Sequence, residues 1–197
     1  FTRMSDGDLA DLWAYLRSLP PNSRPNQAHE LRFPFPRRYA IAAWKWLFFT
    51  PGPPVSDSRR TALLDRGASL VEALGHCGEC HTPRNIFMAL DTPQALAGGP
   101  HPEGEGRVPS LRGLIERGRY KDAKDIASAL QFGEMLGYDK LSSGGMGQVQ
   151  RNIAKLPEAD IAALVEWVTR GAPDPRIAAP RIGGLSAEEA HTWWAFQ

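Results

Sequence analysis

RGASLVEALGHCGECHTPRN, residues 66–85, holds both cysteines of this 197-residue chain. Cys77 and Cys80 stand three apart, and His81 follows the second. Two cysteines placed at random fall three apart about once in 100 and are followed by histidine about once in 40, so chance gives the arrangement about once in 4,000. The pattern is that of covalent haem c attachment. Its spacing has a physical reason: one turn of chain sets both thiols against the two vinyl groups of one porphyrin edge, and the next residue projects its imidazole at the iron. A structural zinc site needs further ligands, yet there is no other cysteine, and His29, His76, His101 and His191 are scattered. A redox dithiol wants a βαβ context that the sequence lacks, and a disulfide closing so small a loop is strained. The residues therefore predict one covalently bound haem c, with iron ligated by His81 and no catalytic residue. Electron transfer is the function they imply.

An electron-transfer iron needs a sixth ligand that stays bound in both oxidation states, and a Met thioether raises the potential relative to a second His. Of the four methionines, Met4 lies across a linker and Met88 follows the attachment motif too closely to reach the opposite haem face. Met146 is preferred over Met135. It sits in a glycine-rich stretch, SSGGMG at residues 142–147, expected to be a loop that lies close against a porphyrin. His101 offers a bis-His alternative. If the sixth position is open instead, the same motif suits a haem enzyme or a sensor of gas or peroxide.

Helical periodicity flanks the motif. Residues 59–74 read as one helix running into HCGECH, with Leu63, Arg66, Gly67, Leu70, Val71 and Leu74 on neighbouring rows. Residues 124–132 read as a short helix, and residues 156–170 as a longer one with Pro157 in its first turn, Ile161, Leu164, Val165 and Val168 on its apolar stripe, and Gly171 as cap. Gly67 is expected to let Val165, Trp167 or Val168 approach its backbone. Residues 5–19 read as an amphipathic helix with Ser5 as N-cap and Leu9, Leu12, Trp13 and Leu16 on one face. Residues 20–58 read as a Pro-rich linker holding one short packed helix, with a boundary near Asp57. A last helical stretch is expected from Ser186, carrying Trp193 and Trp194. No strand-like alternation of useful length is present, so the fold class is all-α.

The formal charge is +1, with Lys and Arg spread along the chain, which excludes the basic stripe that nucleic-acid binding needs. The apolar run YAIAAWKWLFF, residues 39–49, contains Lys45 and is far shorter than the roughly 20 residues that cross a bilayer. Membrane association is expected only through other segments or partners.

Residues 66–85 resemble the haem-binding segment of the multihaem cytochrome c subunits that accompany membrane-bound alcohol, aldehyde and gluconate dehydrogenases. The resemblance extends to the turn Leu96-Ala97-Gly98-Gly99, to the Met-bearing stretch before the last helix, and to FPFPRR at residues 33–38 with Trp44, Trp46 and Leu47. It covers most of residues 1–171. It implies a class I cytochrome c fold, in which the terminal helices of the domain cross around one haem c, plus a Pro-rich linker and tail. It also implies a periplasmic electron carrier, peripheral to the inner membrane, that takes electrons from a dehydrogenase subunit and passes them to a downstream acceptor of the respiratory chain.

Domains of that family end with a Met followed by an S/T-D-x-D helix, as in Met4-Ser5-Asp6-Gly7-Asp8. The resemblance thus makes Met4 the axial ligand of a preceding haem and the chain a piece of a longer one. Residues 1–20 would close a truncated cytochrome domain, 21–57 form a linker, 58–172 a complete cytochrome c domain and 173–197 a tail. Residues 104–120 keep Pro109 but lack the Asn-Ile-Thr run that follows this proline in the family.

Overall fold

The computed structural model describes residues 2–30, 33, 37–52, 60–102, 106–133 and 144–172. The chain divides into two compact units, whose described parts are residues 2–52 and residues 60–172. The expected boundary at Asp57, the residues around Met135 and the helix expected from Ser186 lie outside the described residues.

Residues 2–52 hold α1 (Asp6–Ser18) and α2 (Arg38–Phe48). Ser5 caps α1 as its sequence predicts: its hydroxyl accepts from Asp8 N at 3.1 Å while the Asp8 carboxylate reaches back to Ser5 N at 3.3 Å. Leu9, Leu12, Trp13 and Leu16 are expected on one face, but no residue of α1 is buried: Leu12 is half-buried and Trp13 is 62% exposed. In α2 no residue is buried either; Trp44 and Phe48, four apart, set their rings 5.6 Å from centroid to centroid. The Thr2 hydroxyl accepts from Gly52 N at 2.9 Å, which ties the two ends of this segment together.

Residues 60–172 are helix-rich. α3 (Ala62–Ser69) starts where the Thr61 hydroxyl accepts from Leu64 N, and it continues into a π-helical turn (Leu70–Leu74) rather than running as one α-helix to Leu74. There follow α4 (Cys77–His81), a 3-10 turn (Thr92–Gln94), α5 (Ala123–Phe132), α6 (Gly144–Ile153) and α7 (Glu158–Thr169). The all-α expectation needs one amendment. Two-residue strands β1 (Gly99–Pro100) and β2 (Arg107–Val108) pair antiparallel, with Gly99 opposite Val108. They are too short to show any alternation in sequence.

Helix α7 organises this unit because it is apolar on more than one side, which is the composition of a buried helix. Ala163, Leu164 and Trp167 meet Ala68, Leu70, Val71 and Leu96 in one cluster; Ile161 and Val165 meet Ile126 of α5 in another. The closest approach is at Gly67, where an added methyl would collide with the Ala163 carbonyl oxygen and stand 2.7 Å from Trp167 Cβ. Trp167 is one of the three neighbours expected there, whereas Ala163 takes the place given to Val165 and Val168. Arg66 then clamps the same two helices from the rim, its Nε and Nη2 donating to Asp160 Oδ1 and Oδ2 at 2.7 and 2.8 Å.

Candidate functional site

The thiols and the imidazole are brought together by an abrupt change of direction. The π-turn closes with Gly75 N donating to Leu70 O at 2.6 Å, and a side chain at Gly75 would meet that carbonyl at 2.7 Å. His76 next adopts a left-handed conformation (φ 52°), and α4 starts afresh at Cys77. With about 100° of rotation per residue, Cys77, Cys80 and His81 share one arc of this single turn, and Gly78 and Glu79 point the other way.

His81 is buried, at 7% exposure, and its Nδ1 lies 2.8 Å from the Pro109 carbonyl oxygen. A carbonyl can only accept, so Nδ1 carries the proton and Nε2 is left with its lone pair, the arrangement typical of a metal-bound histidine. Burial holds the His81 pKa below the usual imidazole value, with the Pro109 bond opposing it in part. The ring is therefore neutral near pH 7. Pro109 is 28 residues away in the chain, and the backbone brings it there through Gly98. Gly98 N donates to His81 O at 2.7 Å, and at its φ of 75° a side chain would run into Val108 O and Ser110 N, each 2.6 Å away. Thr82 secures the next residue: its hydroxyl accepts from Leu96 N at 3.0 Å.

The two thiols differ. Burial pushes the Cys77 thiol up to about 11, whereas Cys80 is exposed. Beside Cys80, Arg84 pairs with Glu79 at 2.8 Å and donates to Met88 O at 2.9 Å, which fastens the turn 84–90 to α4. The tip of that turn presents Ile86, Phe87 and Met88 to solvent at 91, 58 and 55% exposure.

Met146 is not in a loop. It lies half-buried in the first turn of α6, because the residues from Gln148 onward make a good helix that Gln150 fastens to α5 by donating to Leu130 O and Gln131 O at 3.1 and 3.0 Å. Met4 is buried just ahead of α1. His101 directly follows β1, its N–H donating to Gly106 O at 3.1 Å. Sequence reasoning missed the roles of Pro109, Thr82 and Gly98 around His81; only the retained proline hinted at the first. Among the described residues no group of three or more His, Cys, Asp or Glu side chains could hold a metal ion by themselves.

A neutral, oriented imidazole and two thiols on one arc of one turn fit a haem c: the thiols suit thioether bonds to the porphyrin, and Nε2 suits its iron. No family model matches the chain. Curated relatives do. A diheme cytochrome c-type protein of Cereibacter sphaeroides is 39% identical over 86% of this chain and 56% of its own length. The fructose dehydrogenase cytochrome subunit of Gluconobacter japonicus is 32% identical over 85% of this chain and 35% of its own length. The cytochrome c subunit of a quinone alcohol dehydrogenase of Gluconacetobacter polyoxogenes is 30% identical, with 89% of this chain and 39% of its own length covered. The chain thus spans about half the length of the first of these relatives and less of the others.

Proposed function

We propose, starting from a chain similar over most of its length to cytochrome c subunits of dehydrogenases, that residues 58–172 form an electron-transfer domain with one haem c bound to Cys77 and Cys80. The observation that carries this reading is the Nδ1 bond from His81 to Pro109, since an imidazole so held keeps its lone pair on Nε2, the atom that would ligate the iron. The bound haem supplies one-electron chemistry at its iron. The residues of the chain do the rest. Pro109 fixes the tautomer and ring angle of His81, and burial keeps His81 neutral. Met146 is the proposed sixth ligand, its thioether flanked by glycines that leave room on the backbone around it.

The close contact of α3 with α7 at Gly67 supports the class I arrangement of crossing terminal helices. The break between the two units supports a linker ahead of the haem domain, and the buried Met4 before the capped α1 supports its assignment to a preceding haem. On this reading the whole protein is not itself the catalyst. It accepts electrons from a dehydrogenase subunit in the periplasm, peripheral to the inner membrane, and hands them towards the respiratory chain. Among the described residues no helix is long and apolar enough to cross a membrane.

One experiment on protein made with a cytochrome c maturation system tests both halves of the site. Haem should survive acid–acetone extraction in the wild type and be lost in the Cys77→Ala, Cys80→Ala double variant. Reduced wild type should bind carbon monoxide slowly or not at all, and Met146→Ala should bind it quickly with a lowered midpoint potential. Haem retained by the double variant rules out the attachment; rapid binding by wild type, unchanged in Met146→Ala, leaves an open-site haem protein as the better reading.

A further inference from the structure

Gln150 goes against the expected pattern of α6. It is buried, at 8% exposure, while Val149 beside it is 38% exposed, the reverse of what their polarity favours. Burial is tolerated because both N–H donors of the amide are used: they reach Leu130 O and Gln131 O at 3.1 and 3.0 Å. Those carbonyls belong to the last turn of α5, where partners within the helix run out. Gly133 closes that helix at a φ of 75°, its N–H donating to Ala129 O, and a side chain there would stand 3.3 Å from Gln150 Oε1. The end of α5 thus receives this amide with no side chain in the way. Helix α5 is itself packed on α7, through Ile126 against Ile161 and Val165.

Met146 stands four residues ahead of Gln150, one turn towards the start of α6 and on the same face, along which Gly147 and Gln150 are buried. Gly144, Gly145 and Gly147 surround it, and glycine weakens a helix because it loses the most freedom on folding. The methionine side chain adds three rotatable bonds. Neither the backbone around Met146 nor its side chain is therefore stiff by composition. The tie to the rest of the domain that follows it in α6 is the amide of Gln150.

We propose that Gln150 is a positioning residue for the sixth ligand of the iron: by bridging α6 to the end of α5 it holds the first turn of α6, and with it the Met146 thioether, in place. The inference rests on Met146 being that ligand. The amide of Gln150 is engaged with α5, so it acts through Met146 rather than on the haem. Loss of the bridge frees the glycine-rich turn and raises the fraction of molecules whose iron is open to an external ligand.

The test uses the haem-loaded protein. Gln150→Leu keeps the bulk and removes the donors, so its ferrous form should bind carbon monoxide about tenfold faster than wild type, with Met146→Ala as the upper limit. Its ferric form should show a weakened sulfur-to-iron charge-transfer band, and its midpoint potential should fall towards that of Met146→Ala. Gln150→Asn, one methylene too short for both carbonyls, should move all three in the same direction by less, and it covers the case in which Gln150→Leu does not fold. Thr61→Ala is the structural control: it removes the cap of α3 and should lower stability without moving band, potential or rate. The inference alone is overturned if Met146→Ala opens the site while the Gln150 variants keep the wild-type band, potential and rate, or if Thr61→Ala moves all three as far as they do. If Met146→Ala itself changes none of them, the sixth-ligand reading fails and the role of Gln150 falls with it.

Discussion

Helix α1 opens on Ser5 with both halves of a capping box, and none of its thirteen residues is buried. Helix α7 opens on Pro157 with no side-chain cap, and it buries Ile161, Ala163, Leu164, Val165 and Trp167 among its twelve. The local signal of helix start is thus better in the helix that packs less. Capping and propensity decide whether a helix forms, and each contributes about 1 kcal/mol or less. What separates the two is how many sides are apolar: α1 alternates its leucines with Asp8, Asp11 and Arg17, whereas α7 from Ile161 to Val168 is broken only by Glu166. A helix with one narrow apolar stripe needs a partner to show its burial. One apolar on several sides takes partners on each, as α7 does with α3 and α5.

The sharpest way to break this comparison uses one glycine from each region. Gly67 in α3 is hemmed in by the backbone of Ala163 and by Trp167 Cβ, neither of which is the far end of a flexible chain. Gly67→Ala should therefore destabilise the haem domain by about 3 kcal/mol or more, at or beyond the usual range for overpacking. Gly7 in α1 would place a methyl only against Ser5 Oγ, at 3.7 Å. Gly7→Ala should stabilise α1 by up to about 1 kcal/mol through the lost freedom of the unfolded chain. Denaturant unfolding followed at the haem band reads the first, and amide exchange within α1 reads the second. Equal effects at the two glycines would show that the α3–α7 contact is no tighter than an ordinary helix surface.

A middle-sized effect comes from the rim of the same contact. The hydrogen bond from Arg66 holds the Asp160 carboxyl below the usual carboxylate range, burial opposes this, and the charge of Arg66 adds to it. The folded-state value is depressed, so the pair's contribution is fully present above the unfolded value near 4 and is lost as pH falls through the lower folded one. Arg66 is 43% exposed, which limits the pair to about 0.5–1 kcal/mol. Asp160→Asn should cost that much at pH 7, and its curve should meet the wild-type curve in acid. A gap that stays constant down to pH 3 would mean the bidentate pair does not exist in solution.

These contrasts also mark what the sequence could reveal. Cys77, Cys80 and His81 are legible because covalent attachment to one porphyrin edge requires their spacing within a single turn, and local spacing is what a sequence displays. The helices at residues 124–132 and 156–170 were legible for the same reason, and each is found within a residue or two of its expected start. Pro109 was not, because its carbonyl reaches His81 across 28 residues by way of two short strands and a left-handed Gly98. The glycines around Met146 pointed to a loop, yet Gln150, four residues on, binds α5 carbonyls and holds the stretch as helix. A tertiary hydrogen bond overrode a local propensity. The break in residues 59–74 escaped for a subtler reason, since the extra residue of a π-turn leaves the apolar rows of the sequence nearly unchanged.

The smallest effect should distinguish the two regions by where it is felt rather than by its size. Ser5 and Thr61 are both N-caps whose hydroxyls accept from the third residue of their helices, at 3.1 and 3.2 Å, so each change to Ala should cost about 1 kcal/mol. Thr61 begins α3, whose Gly67 and Ala68 are buried against α7, and the loss of its cap is carried into the cooperative unfolding of the whole haem domain. Thr61→Ala should accordingly lower the midpoint at the haem band by a few degrees. Ser5 begins a helix with no buried residue in the other unit, where the loss stays local. Ser5→Ala should leave the haem-band midpoint unchanged and speed amide exchange in α1 by about fivefold, the factor that 1 kcal/mol gives. A matching drop in the haem-band midpoint for Ser5→Ala would mean that α1 unfolds together with residues 60–172, and that its bare apolar face is covered after all.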